Sequence, residues 1–555
     1  MLTKLASKID NELLQNLASY RLGFPIDAAS REYLLKLCRY EFNKKLNLLG
    51  QEEIGPPPDF LLQYNCIMFI SLSLKGRSLS CVAESGDNLV EACITSIRRI
   101  LIIVNHEVIK KNKSEVYFEI TLLFDKVKVE VSRFDQSFIR GLHAVGVEAA
   151  GTHAIFRNAV AVNLNLTNEE LIEKLIRKAQ LTNDCINDPA VSFYLYKTIE
   201  FREDILTLGN SLALFDFFRS SKVLLQSEIT QKKLESAIFM AQQCLHGLIN
   251  SNGEMAYEIN LFKAEKQYAN TRAATIRKLG ALWALLDSAK KNGYLIDWSL
   301  IKQAKAKLYR KLDKNDIGLL SFAIFVESFF EKSELLEIFS SKLVNILSNI
   351  DFRNVELKQW FDNAVGLYAL MVCFEKLEDH RLISIAEQAF PFCEKLLFEG
   401  NEIVLYLCAW LSRYALALYT YTNKDLYAEF VVQLNNKVIN FQIIEPTYIL
   451  LTSAGAFDLD NHSRVTAVYI ESLVQGFYAA SALREQQQAK RYIVAIFKAL
   501  RPLCSNQLSE DICFYTDFLG GVKDGFVTSI TRIDTIQHAL SAMSDSISIL
   551  QEYLV

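Results

Sequence analysis

Three stretches of this chain share one layout, and that layout constrains the fold more than any other feature. SFAIFVESFFEKSELLEIFSSKLVNIL starts at Ser321, GLYALMVCFEKLEDHRLISIAEQAFPF at Gly366 and RYALALYTYTNKDLYAEFVVQLNNKVI at Arg413, roughly 45 residues apart. Each holds an apolar helix with small residues, a short polar turn, then a helix opening with Leu or Tyr. A helix apolar on nearly all sides, such as Val404–Tyr419, needs partners on two flanks, and the inner helix of a ring has them. Helix candidates begin near Thr230, Thr271, Trp298, Gly318, Ser333, Leu357, His380, Glu402, Lys424, Arg464, Gln486 and Ile533. Twelve helices in sequential pairs make six hairpins, which predicts an all-α (α/α)6 toroid over residues 230–555. An open solenoid of the same hairpins is the alternative, although neither end reads as a polar cap.

The first 205 residues carry a different period. Residues 1–50 read as helical, and in Arg31–Leu46 the residues Leu34, Leu35, Cys38 and Phe42 fall at helical spacing. The Gly55-Pro56-Pro57-Pro58 run ends that element. Strands are expected at Ile67–Leu74 and Leu79–Val82, flanking a turn at Lys75-Gly76-Arg77, and again at Val116–Leu123, Val127–Val131 and Val191–Glu200. Asn88–Val104 and Asn168–Gln180 read as helices, the second with Thr167 as N-cap and Glu169 and Glu170 in its first turn. Gly141–Val162 reads as turns and short strands. The expected fold class is therefore multidomain: an α+β unit over 1–205, a linker over 206–229, then the toroid.

A chain of 555 residues exceeds one ordinary core, and 51% apolar with 22% charged residues is globular composition. Only 8 prolines favours long helices. A net charge of −4 predicts no field toward nucleic acid or anionic membrane. No run approaches the 18 or so apolar residues of a membrane span, and Lys4, Lys8, Asp10 and Glu12 stand where a signal peptide needs an apolar core. The 11 cysteines form no CxxC pair, which fits reduced thiols and a cytoplasmic location. P-loop, GxGxxG, HExxH and GxSxG motifs are absent, so no nucleotide, zinc-protease or α/β-hydrolase chemistry is indicated, and neither metal nor cofactor is expected. The basic run Lys302–Lys314 reads as a solvated helix face.

Two resemblances add to this. LLKLCRYEFNKKL, the strand–turn–strand around Gly76, FEITLLF at Phe118, GLHAVGVEAAGTHAIFRNAVAVNL at Gly141 and NEELIEKLIRKAQL at Asn168 resemble the family named for the AMME-syndrome candidate-region protein, the AMMECR-type domain. The family signature Leu-Arg-Gly-Cys-Ile-Gly stands here as Ser78-Leu79-Ser80-Cys81-Val82-Ala83, and its Gly-x-His-Gly turn as Gly141-Leu142-His143-Ala144. The resemblance implies a fold and little chemistry. NGEMAYEINL at Asn252, NTRAATIRKLGALWALL at Asn270, TNKDLYAEFV at Thr422, TAVYIESLVQGFYAAS at Thr466 and GGVKDGFVTSITRIDTIQHALSAM at Gly520 resemble the six-hairpin toroids of glycoside hydrolases and uronate epimerases. That resemblance implies a funnel at one mouth of the barrel, lined by the loops preceding inner helices.

Candidate chemistry concentrates at the last hairpin. Asp534 opens a helix, with Gln537 and His538 one turn on and on the same face, and Arg532 could hold a carboxylate. The plainer reading makes Asp534 a cap and Arg532 its partner. Glu471 lies in an apolar helix, where a carboxylate is either paired (with Arg464 or Arg532) or functional. Together, Asp534 and Glu471, assisted by His538, would make an acid/base couple for glycosidic chemistry. Arg532, Gln537, Arg277, Arg272 and Tyr257 would bind an anionic or polyhydroxy substrate, while Trp283 and Trp410 read as core. A possible second site pairs Cys81 with His143; packing is the alternative for Cys81. The resulting expectation is a carbohydrate-active or related small-molecule enzyme, with a protein partner possible through the N-terminal domain. The rival is a non-catalytic scaffold.

Overall fold

A computed structural model describes residues 2–20, 24, 26–47, 54–74, 77–112, 115–149, 151–203, 214–218, 221–331, 333–398, 403–443, 454–458, 462–509, 516–551 and 553. The N-terminal part comprises α1 (Leu2–Tyr20), α2 (Ala28–Lys45), α3 (Asp59–Gln63), β1 (Ile67–Leu74), β2 (Arg77–Glu84), α4 (Leu89–Ile103), α5 (His106–Lys111), β3 (Val116–Val129), α6 (Phe134–Ser137), β4 (His143–Ala149), β5 (Thr152–Phe156), α7 (Ala159–Asn163), α8 (Asn168–Lys178), β6 (Ser192–Glu203), β7 (Leu214–Phe218) and β8 (Ser221–Lys222). The strands form one antiparallel sheet in the order β2-β1-β3-β6-β4-β5, with β7 and β8 added beside the far half of β6. Alternation along the strands sorts apolar side chains to packed faces. Ile70, Leu72, Phe118 and Ile120 meet Leu34, Cys38, Cys93 and Ile97 of α2 and α4. Val145, Val147 and Phe193 meet Leu171, Leu175 and Ile176 of α8, whose start is closed by a Thr167–Glu170 capping box.

Two readings change here. The strands expected at Val116–Leu123 and Val127–Val131 are one strand, β3, whose register on β6 shifts between Phe124 and Val127, with Asp125 at φ 50°. The break expected between Leu123 and Val127 is a bulge. The 206–229 stretch read as a linker carries β7 and β8, so the sheet continues into it. Lys75 and Gly76 of the expected turn lie outside the described residues.

The toroid follows as α9 (Gln231–Gly247), β9 (Glu258–Asn260), β10 (Glu265–Gln267), α10 (Arg272–Asn292), α11 (Trp298–Tyr309), α12 (Ile317–Glu327), α13 (Glu334–Ser348), α14 (Trp360–Leu377), α15 (His380–Phe398), α16 (Ile403–Thr422), α17 (Asp425–Ile439), α18 (Ser463–Ala482), α19 (Gln486–Ser505), β11 (Ile530–Arg532) and α20 (Ile533–Leu550). Each helix starts within three residues of its expected position. Even-numbered helices pack in sequence, α10 on α12, α12 on α14, and so on to α18 on α20; α20 then returns to α10. That last contact closes the ring and removes the open-solenoid alternative. Odd-numbered helices from α9 to α19 form the outer layer. Inner helices are buried nearly all round; in α12 every residue from Gly318 to Glu327 is buried. Glycines let them approach closely, since a Cβ on Gly280 would stand 2.5 Å from the Gln537 amide of α20. The small sheet β10-β9-β11, which the sequence reading lacked, ties the strand before α20 to the segment after α9. No helix among the described residues is long and apolar enough to cross a membrane.

Helix α1 belongs to both parts. Leu13, Leu17 and Tyr20 join the sheet core, whereas Leu2 and Ala6 join the core of the ring. Between them the Asp10 carboxylate accepts from the backbone N–H groups of Gln226 at 2.6 Å and Ser227 at 3.1 Å, just before α9.

Candidate active site

The N-terminal ends of the inner helices meet at one mouth of the ring, around a cavity of about 320 Å3. Arg272, Ile276 and Arg277 of α10, Phe322 of α12, Phe361 and Asp362 of α14, Trp410 of α16, Arg464, Val468 and Tyr469 of α18, and Asp534, Gln537 and His538 of α20 line it. Every inner helix thus contributes, and their positive dipole ends face the space.

Asp534 is almost wholly buried and collects arginines. Its Oδ2 lies 3.2 Å from Arg277 Nε and 3.3 Å from Arg464 Nη1, and its Oδ1 lies 3.5 Å from Arg532 Nε. No side chain caps α20, so the capping reading of Asp534 gives way to that of an ion-pair hub. Arg532 leaves the cavity wall, since its Nη2 reaches Asp524 at 3.2 Å, and Thr535 donates to the same Asp524 at 2.7 Å. Arg277 also donates to the Tyr257 hydroxyl and stands over its ring at 5.7 Å. Tyr257 is one step behind the cavity, holding an arginine that lines it. Arg272 bridges Asp316 and Asp362, meeting Asp362 Oδ2 at 2.5 Å. Burial raises the Asp362 carboxyl above its ordinary range, against the pull of Arg272.

Glu471 is not where the expected couple needs it. It is 1% exposed and does not line the cavity. One carboxylate oxygen lies 2.8 Å from His538 Nδ1 and the other 3.3 Å from Arg413 Nη2. Its partners are therefore Arg413 and His538, not Arg464 or Arg532. An ionised carboxylate only accepts, so the His538 Nδ1–H donates and Nε2 is the nitrogen without a proton in the neutral ring. Behind Glu471 a chain of charges continues: Arg413 Nη2 to Asp545 at 2.7 Å, then Asp545 to Lys291 at 2.6 Å, and Lys291 to Asp287 at 2.6 Å. Arg413 also stands 5.6 Å from the Trp283 ring, which packs against Trp410 at 5.8 Å. Trp283 is core, as expected; Trp410 is core on one face and cavity wall on the other.

Cys81 and His143 are not brought together. Cys81 on β2 is exposed and pairs across with Ser71, whose hydroxyl donates to its sulfur at 3.1 Å. That row continues through Glu119 to Arg202, whereas His143 on β4 pairs with Lys197, an odd number of residues from Arg202. The two side chains therefore leave opposite faces, with β1, β3 and β6 between their strands. Burial and the nearby Lys197 push the His143 imidazole down to about 4. No group of three or more His, Cys, Asp or Glu among the described residues could hold a metal ion.

Arg413, Asp362, Phe322 and Tyr469 were not singled out from the sequence. Arg413 carried a usable signal, as the lone charge in α16. The others needed the ring closed before their positions converged.

No family model and no curated protein matches the chain. Among solved structures, an uncharacterized protein from Pyrococcus horikoshii aligns at 21% identity over 32% of this chain and 93% of its own, with a TM-score of 0.28. An inactive variant of an alpha-1,6-mannanase of Salegentibacter sp. HEL1_6, in complex with alpha-1,6-mannotetrose, aligns at 10% identity over 57% of this chain and 99% of its own, with a TM-score of 0.44. A mutant unsaturated glucuronyl hydrolase from Streptococcus agalactiae aligns at 15% identity over 57% and 91%, with a TM-score of 0.41. The assignment of a closed six-hairpin ring rests on the helix packing described above.

Proposed function

We propose that the toroid mouth is the active site of a carbohydrate-active enzyme that moves a proton on a small substrate, as a lyase, isomerase or epimerase does. One observation carries this reading: the His538 imidazole lines the cavity with its other nitrogen fixed on buried Glu471. Glycoside hydrolysis by the usual route needs two carboxyl groups free to act across one bond. The carboxylates lining this cavity, Asp534 and Asp362, are both engaged by arginines. An oriented imidazole beside guanidinium groups instead suits removal of a proton next to a carbonyl, with the arginines steadying the negative charge that develops. His538 would be the base, Glu471 its orienting partner, and Arg277 and Arg464 the substrate clamp. Gln537 would read a hydroxyl, and Trp410 with Phe322 would take the face of a sugar ring.

The N-terminal sheet would be an AMMECR-type accessory unit that supports the mouth or docks a partner. Its Asn165 accepts from the Thr528 hydroxyl at 3.4 Å, in the loop leading to Arg532.

The test is proton exchange. Wild-type protein incubated in D2O with uronic acids, aldoses and ketoses should introduce deuterium next to the carbonyl of at least one of them, read by proton NMR. His538→Gln should slow that exchange by about 100-fold or more, the usual contribution of a positioned acid/base group. Exchange at an unchanged rate in the variant, or cleavage of glycosides that survives it, would sink the assignment.

A further inference from the structure

The residue most in need of an explanation lies outside the cavity. Arg413 is buried and is the lone charge in α16. Burying a guanidinium is costly, and an apolar side chain of similar size would serve packing as well or better. Its surroundings are specific. A single nitrogen, Nη2, is shared between Glu471 Oε2 of α18 at 3.3 Å and Asp545 Oδ2 of α20 at 2.7 Å. The far side of Asp545 is held by Lys291 of α10 at 2.6 Å. Helices α18 and α20 meet this guanidinium directly and α10 through Asp545, and Glu471 is the charged group that links it to the cavity wall. Glu471 in turn has one remaining oxygen, and that oxygen sits on His538.

We propose that Arg413 is a positioning residue for the imidazole at the mouth: it pins the Glu471 carboxylate so that His538 is held as the Nδ1–H tautomer with Nε2 turned to the substrate. The inference rests on the reading of His538 as the proton-transfer group, but the tautomer itself is observable without any substrate. Lysine at 413 would keep the charge on a shorter, flexible stem, without the rigid guanidinium plane that fixes Nη2 between the two carboxylates. The charged groups that share the cavity with His538 are Arg272 and Arg277 from α10, Asp362 from α14, Arg464 from α18 and Asp534 on its own helix, and those of the ion-pair chain behind it are Glu471 from α18, Arg413 from α16, Lys291 from α10 and Asp545. Of these, Glu471 is the one that contacts the ring nitrogen.

The experiment combines 15N-histidine NMR with a double-mutant cycle on the full chain. His538 is assigned by loss of its signals in His538→Gln. The wild type should show a pyrrole-type Nδ1 and a pyridine-type Nε2. Arg413→Gln should broaden or mix these signals, and Arg413→Lys should do so partially. In exchange kinetics, Arg413→Gln should lower kcat at least tenfold with KM changed less than threefold. On a Glu471→Gln background the same change should do nothing further, because its only route is through that carboxylate. If Arg413→Gln is too unstable to study, the neutral pair Arg413→Met with Glu471→Gln replaces it and should match Glu471→Gln alone. An unchanged tautomer in Arg413→Gln overturns the proposal. So does an equal Arg413 effect with and without Glu471, which would mark a purely structural role. Failure of His538→Gln to slow exchange would reject the catalytic reading while leaving the tautomer result standing.

Discussion

Asp534, read from the sequence as an acid/base candidate, lines the cavity and is held there by ion pairs. It stands at a helix opening with polar neighbours, the pattern of an acid/base group, yet three arginines surround it. Asp534→Asn removes the negative charge and leaves those guanidinium groups facing an amide. We expect a loss of about 2–3 kcal/mol, less than for a fully buried pair because the arginines are partly exposed; denaturant unfolding measures it. His143 gives a second residue-scale prediction. Its imidazole titrates near 4 in the fold and near 6.5 when unfolded, so the unfolded chain binds the extra proton between those values. Stability from this group is fully present above pH 6.5 and is lost as pH falls toward 4, by about 2 kcal/mol after allowing for partial exposure. His143→Gln should flatten the stability–pH curve in that window, and a curve of unchanged slope would refute the assignment.

At the scale of elements, helices were legible and their convergence was not. Period and turn chemistry located all twelve ring helices because each is long, apolar and bounded by polar turns. The three-residue strands β9, β10 and β11 carry too few residues for any period to show. The bulge at Asp125 divided β3 into two expected strands, because it interrupts the alternation between Leu123 and Val127. In the candidate site, Asp534, Gln537, His538, Arg277 and Arg272 were readable as a polar cluster near helix openings, and all five line the cavity. The partners of Glu471 were not readable, since Arg413 is 58 positions away and meets it only once α16 packs beside α18. Two glycines test how tightly the elements fit. Gly520 has φ 83°, and a Cβ there would lie 1.9 Å from the Met240 carbonyl oxygen of α9. Gly520→Ala should cost about 3 kcal/mol or more and displace the loop that carries Asp524. Gly280→Ala should instead push on the Gln537 side chain, weakening ligand binding more than it lowers the melting temperature. Thermal shift with and without a bound sugar separates the two outcomes.

For the whole molecule, the ring and the sheet share a helix, which puts one element in both cores. α1 places Leu2 and Ala6 in one core and Leu13 and Leu17 in the other, with Asp10 satisfying two backbone donors between them. A fragment starting at residue 221 should therefore unfold at lower denaturant than the ring does within the full chain. Asp10→Ala in the full chain should cost about 1–2 kcal/mol, the value of a lost cap at buried donors. A fragment as stable as the full chain would show that α1 merely rests on the ring.

Closure between α10 and α20 also sets an order of events on the ribosome. The helix that completes the ring is made some 250 residues after the one it must meet, and Asp10 of α1 meets Gln226 across 216 residues of chain. Until then the flank of α10 that α20 covers stays open, although neighbouring inner helices can pack in sequence as they emerge. The sheet can form early, whereas the ring closes only when α20 is made, so the open flank of α10 is the surface that molecular chaperones would have to shield during synthesis.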